Sequence, residues 1–202
     1  MKALLAALVL AQAPEHASRL HEAIAEGKEP VAAVLVLGGK ADLEARNAAR
    51  ETPLHLAAEK GMAALTRLLL DAGARVRART ATGETALHHA ALNADPGVAR
   101  LLLDAGADPR ALNDHGESAL HWAAYGGHDA VVRLLLERGA DADNFNLDGN
   151  LPLHGAAAGG HAGTVRLLLP RTRRPQLQNL QGKTPQDLAR ERGHDAVAGL
   201  LD

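Results

Sequence analysis

Apolar positions along the chain gather into short blocks that return at a fixed interval. Leucine triplets occupy 68–70, 101–103, 134–136 and 167–169, and each ends fifteen residues after a histidine: His55, His88, His121 and His154. The histidines close the segments Thr52-Pro53-Leu54-His55, Thr85-Ala86-Leu87-His88, Ser118-Ala119-Leu120-His121 and Leu151-Pro152-Leu153-His154, spaced by 33 residues, and Thr184-Pro185-Gln186-Asp187 keeps the interval. Gly83, Gly116, Gly149 and Gly182 share this register, as do Asn47, Thr80, Asn113, Asn146 and Asn179.

The pattern predicts a turn and two helices in every unit. Thr or Ser opens the first helix by accepting a hydrogen bond from an orphan N–H, and proline at the next position needs no donor. The leucine triplet puts apolar side chains on the second helix. Gly73, Gly106 and Gly139 follow three residues later, where a helix ends in a left-handed residue. Asn before an x-x-Gly segment suits a tight turn. One unit alone would expose its leucines, so the units have to stack.

These residues resemble the ankyrin repeat. The best match is 113–145, with Gly116, Ser118-Ala119-Leu120-His121, Gly127-His128, Leu134-Leu135-Leu136 and Gly139-Ala140-Asp141, and the resemblance covers about 180 of the 202 residues. It implies an all-α solenoid of stacked helix-turn-helix units with hairpin-like tips. Six units are expected: a degenerate one at about 14–46, four fuller ones at 47–79, 80–112, 113–145 and 146–178, and a truncated one at 179–202. The first lacks the Thr-x-Leu-His signature, and its Glu22, Glu26, Lys28 and Glu29 suit a solubilising end cap. Arg50 stands where glycine is expected, Leu151 replaces a Thr cap, and 170–175 reads Pro-Arg-Thr-Arg-Arg-Pro instead of Gly-Ala-Asp. Because that replacement preserves length, the layer should survive with a remodelled tip.

Residues 1–13 read differently. A charged start, the apolar run Ala3 to Ala11 and small residues after it have the form of a short secretion signal, with a cut after Ala11 or Ala13. This predicts a periplasmic or secreted protein of bacterial type; the alternative is a plain N-terminal helix in a cytoplasmic protein. Nine apolar residues are too few to span a bilayer, which takes roughly 20.

Composition narrows the chemistry. With 47% apolar residues but only Trp122, Tyr125 and Phe145 as aromatics, the core must be built of Ala and Leu. A formal net charge of −2 lacks the basic excess that drives nucleic-acid binding. No cysteine is present, which removes disulfides and thiolate metal sites. Of eleven histidines, seven are repeat residues: the four above and His128, His161 and His194 after glycine. The resemblance gives the first set hydrogen bonds to turns and loops. His16, His21, His89 and His115 are dispersed, and no His-Glu-x-x-His occurs, so no metal or other cofactor is expected. Gly182-Lys183-Thr184 lacks the earlier glycine of a phosphate loop, since 177 is Leu, and Ser118 has no nucleophile elbow around it. No catalytic residue is assigned, and the chain is not expected to be an enzyme.

Binding is the expected role, because ankyrin arrays contact partner proteins through hairpin tips and the inner face of the first helices. Register places Asp114, His115, Glu117, Tyr125, Gly126 and Phe145 at such positions in the best unit, with Leu92 and Asn93 beside them. Aromatic anchors fit the composition of binding hot spots, and covering the groove wall is the plainer alternative. Trp122 takes the place of Leu56 and faces a vacancy at Gly155, so packing is its expected role. Arg75, Arg77 and Arg79 form one basic cluster and Arg171, Arg173 and Arg174 another. A solvated charged surface is the simpler reading of both; steering of an acidic partner is the other. The partner is expected to be a protein bound by a monomeric scaffold, or an enzyme or transport assembly to which the chain is an accessory subunit.

Overall fold

The computed structural model describes residues 19–202. The segment read as a secretion signal and His16 lie outside the described residues. Among the described residues twelve α-helices pair in sequence: α1 (19–25) with α2 (Glu29–Leu37), α3 (Pro53–Glu59) with α4 (Ala63–Asp71), and α5 (Ala86–Ala90) with α6 (Gly97–Asp104). Then come α7 (Ala119–Gly126) with α8 (Asp129–Glu137), α9 (Pro152–Ala158) with α10 (Ala162–Leu168), and α11 (Pro185–Glu191) with α12 (Asp195–Ala198). First helices pack in the row α3, α5, α7, α9, α11, and second helices form a row behind them. Among the described residues there is no strand, only an isolated antiparallel bridge between Leu112 and Ser118. No helix among them is long and apolar enough to cross a membrane.

The core follows from the repeat. The middle leucine of every triplet (Leu69, Leu102, Leu135 and Leu168) is fully buried, as are the alanine pairs Ala57-Ala58, Ala90-Ala91, Ala123-Ala124 and Ala156-Ala157. Methyl-sized contacts let the first helices approach closely, which is how a core with almost no aromatics reaches close packing.

Turns are stitched in the same way in each layer. Asn113 Oδ1 accepts from the backbone N–H of His115 and Glu117 at 3.0 and 2.9 Å, and Asn47, Asn146 and Asn179 repeat the pattern. Consecutive tips are joined by one main-chain bond each: Ala81 to Ala49, Asp114 to Thr82, Leu147 to His115 and Leu180 to Asp148, at 2.9–3.0 Å. Gly83, Gly116, Gly149 and Gly182 take φ between 72° and 77°, and Arg50 is forced into the same region at φ 60°. A side chain there costs roughly 1–2 kcal/mol. Arg50→Gly is therefore expected to stabilise the protein by about 1 kcal/mol, read as a raised urea midpoint with unchanged helical content; a lowered midpoint would contradict the strain.

The altered segment after α10 behaves as its unchanged length predicts. A single 3-10 turn, Leu169–Arg171, replaces the glycine stop, the buried Thr172 donates to the Leu168 carbonyl at 3.0 Å, and α10 still packs on α8, α9 and α12. Leu151 has no hydroxyl, yet its N–H still donates to His154 Nδ1 at 3.0 Å.

Candidate functional site

Four imidazoles tie the first helices into a continuous inner wall. In each of the layers headed by Thr52, Thr85 and Ser118, the backbone N–H and the hydroxyl of the cap residue converge on the Nδ1 of His55, His88 or His121, at 2.8–3.2 Å. The far nitrogen, Nε2, donates across to the next layer: His55 to the Glu84 carbonyl, His88 to Glu117, His121 to Asn150 and His154 to Lys183, at 3.0–3.3 Å. Only the neutral ring with its proton on Nε2 satisfies both ends. Burial pushes His55 and His121 down to about 4 and moves His88 and His154 below the usual imidazole range. These histidines are latches between layers, with both nitrogens occupied.

Two further positions complete the series. His21 Nε2 lies 3.1 Å from the Glu51 carbonyl and so latches the first pair to the second. At the other end Asp187 accepts from the Thr184 N–H and hydroxyl at 2.9 and 2.8 Å, a carboxylate doing the work of Nδ1.

A groove of about 570 Å³ opens on this wall, lined in part by Leu92, Glu117, Trp122, Tyr125, Gly155 and Leu188. Trp122 is partly buried against the core; its ring meets His88 edge-on at 5.6 Å and His89 at 6.0 Å, both in the preceding layer, and Gly155 is left lining the groove. Its indole N–H donates to Glu117 at 2.9 Å. Burial alone would raise the Glu117 carboxyl, but bonds from Trp122 and Asn113 carry it below its ordinary value. The groove thus has an apolar floor and a fixed anionic edge. Tyr125 stands over it 66% exposed, next to half-exposed Leu92.

The turn, two helices and histidine latch repeating at 33 residues match a known family. The model for ankyrin repeats in three copies matches residues 20–113, and that for ankyrin repeats in many copies matches 120–169. The chain belongs to the ankyrin-repeat family. No curated protein matches the chain. Ankyrin repeats mediate protein–protein interaction and are typically not enzymes.

The residues expected to bind fall into separate places on this ankyrin array. Leu92, Glu117 and Tyr125 line the groove together. Phe145 is 55% exposed on a hairpin arm and lies outside the groove lining, and exposed His115 and Asp114 sit at the adjoining tip. Asn93 is committed elsewhere: its amide donates to the Ala58 and Glu59 carbonyls at 3.0 and 3.1 Å, tying its loop to the end of α3.

Part of the first arginine cluster forms ladders between layers. Arg46 donates to the Arg79 carbonyl and Arg79 to that of Leu112, while Arg77 reaches the Gly106 carbonyl at 3.4 Å and Arg110 that of Gly139 at 2.9 Å. Arg75 donates its backbone N–H to Glu44. Arg171 and Arg173 line a shallow depression with Asp141 and Asp143, and the Arg173 guanidinium lies 3.4 Å from Asp143. Arg174 is exposed.

Sequence reasoning passed over Leu147 and Leu180, the tip residues in the same register as Asp114, which are 69% and 79% exposed. The register itself carried that signal, because both apolar tips fall 33 and 66 residues after Asp114. Large apolar side chains at these consecutive tips leave an exposed apolar edge outside the groove.

Proposed function

We propose that this ankyrin array is a docking scaffold that binds a partner protein in the groove around Trp122 and Tyr125, with the hairpin tips as the rim. The observation that carries this reading is an apolar floor beside an exposed tyrosine on a wall whose rigidity comes from the histidine latches. A preformed surface limits the entropy lost on docking, and desolvated aromatics supply most of the affinity in such interfaces. The fixed Glu117 carboxylate favours a partner segment with an apolar anchor next to a donor or a positive charge.

Gly155 offers a clean test. The three atoms nearest a Cβ added there all belong to Tyr125, at 3.6 Å, an ordinary contact, and the same register position in the two neighbouring layers holds the large apolar side chains Trp122 and Leu188. Gly155→Leu is therefore expected to fold normally while filling the groove. In quantitative affinity capture from the native source, a partner held by the wild type should be lost at least about tenfold by Gly155→Leu and by Tyr125→Ala, the size of a hot-spot truncation. Phe145→Ala reports separately on the rim. Full retention of all partners by the Gly155 and Tyr125 variants would remove the groove from the binding surface.

A further inference from the structure

A second polar cluster lies on the same inner wall, two layers towards the N-terminus from Gly155. One register column of the first helices reads Leu56, His89, Trp122, Gly155 and Leu188, so an imidazole occupies a place otherwise given to apolar residues or glycine. The His89 side chain is only 7% exposed, and neither ring nitrogen has a hydrogen-bond partner. The neighbouring latch histidines use both nitrogens, so this ring is the exception. An unsatisfied buried polar group calls for an explanation, an ion among them.

Three carboxylates face the ring. Glu84 Oε2 lies 3.6 Å from Nε2, while Glu51 Oε1 and Glu59 Oε2 each lie 4.0 Å from Nδ1. Glu84 stands to His89 as Glu117 stands to Trp122, five residues ahead, and the second pair is a 2.9 Å hydrogen bond. Thr80 holds the Glu84 carboxylate in place at 3.1 Å. With its Nε2 proton directed to Glu84, the ring turns the Nδ1 lone pair towards Glu51 and Glu59. Asn47 anchors the other Glu51 oxygen at 2.6 Å, so Oε1 stays aimed at the ring. Three acceptors then converge, all within 4.8 Å of one another.

We propose that His89 Nδ1, Glu51 and Glu59 bind a divalent cation of the zinc class, with Glu84 as the positioning residue behind the imidazole. A tetrahedral ion with bonds of roughly 2.1 Å sets its ligands about 3.4 Å apart, so each His89–carboxylate distance has to close by about 0.6 Å and the two carboxylates by at most about 1.4 Å. Glu59, at the end of α3 with its side chain 41% exposed, is free to supply that movement. A nitrogen ligand disfavours magnesium and calcium, which prefer all-oxygen shells. A carboxylate holding the remote nitrogen of a ligating histidine is the usual outer partner of such sites. No spacing in the sequence announces this set; stacking of the two layers assembles it.

The test is calorimetric titration of the chelator-treated full chain with zinc chloride. The wild type should bind one ion per chain with saturation. His89→Leu, which restores the leucine found at 56 and 188, should fold and lose the site. Glu51→Gln/Glu59→Gln should weaken binding at least about tenfold, and Glu84→Gln roughly 10–100-fold with the melting temperature of the metal-free protein unchanged. Absence of saturable binding by the wild type would overturn the proposal. So would wild-type affinity in His89→Leu, which would move the ion to an exposed histidine such as His115, or displacement of zinc by equimolar magnesium.

Discussion

Acidification from pH 7 to pH 4 is expected to remove most of the folding stability of this array. In the folded protein His55 and His121 titrate at about 4, against 6.5 for an unburied imidazole. Between those values the unfolded chain takes up protons that the folded chain refuses, so stability falls as pH drops through 6.5 and levels off below about 4. A shift of that size is worth about 3 kcal/mol for each ring. Two such rings approach the whole stability of a typical domain, roughly 5–15 kcal/mol. His88 and His154 shift in the same direction, and the lowered Glu117 carboxyl adds to the loss at the acid end. The chemistry explains the sign: protonation puts a hydrogen on Nδ1, where the cap N–H and hydroxyl already point. Urea midpoints followed by far-UV circular dichroism at pH 7, 5.5 and 4 measure the effect. His121→Asn should lower stability at neutral pH and flatten this slope by about one proton. An array equally stable at pH 7 and pH 4 would mean that the latches are not neutral imidazoles.

Leu135→Ala is expected to cost 2–5 kcal/mol, the range for truncating a fully buried leucine, with the upper half favoured by a close-packed site. Leu135 is 0% exposed in the middle of its triplet, whereas Leu136 is only partly buried and should cost less than half as much when truncated. The contrast matters more than either value, because a stacked array loses contacts on both sides when one layer is thinned. Chemical denaturation of the two variants in parallel decides it; equal losses would show that the second helix is rotated relative to the arrangement described.

How much of this was legible beforehand depended on whether a feature lies along one column of the repeat or between columns. Residues 33 apart occupy equivalent places, so the leucine triplets, the cap-and-histidine pairs and the odd conformation at Arg50 could be read from spacing alone. His21 was missed because it sits one position off the column of His55 and reaches its carbonyl from a slightly different place on its helix. The arginine ladders were hidden for another reason: Arg77 and Arg79 look like a surface charge run, and only the stacking distance shows that their guanidinium groups reach carbonyls one layer on. Asn93 looked like a groove residue but is consumed in capping α3. The cluster around His89 joins three columns across two layers, with Glu51 and Glu84 equivalent residues of one column and Glu59 and His89 from two others, and a repeat spacing does not show that separate columns meet. Tyr125 and Leu92 share a column, which is why their common groove could be anticipated, while the separation of Phe145 from it could not.

The reading of function is tested most directly by a photo-crosslinking side chain placed at position 125, over the groove, and in a second protein at position 133, on the exposed back of α8. Each is exposed to native extract and irradiated. The account predicts a discrete adduct from position 125, competed away by excess wild type but not by Gly155→Leu, and none from position 133. An adduct that forms from position 133 alone, or from both with equal yield, would contradict it.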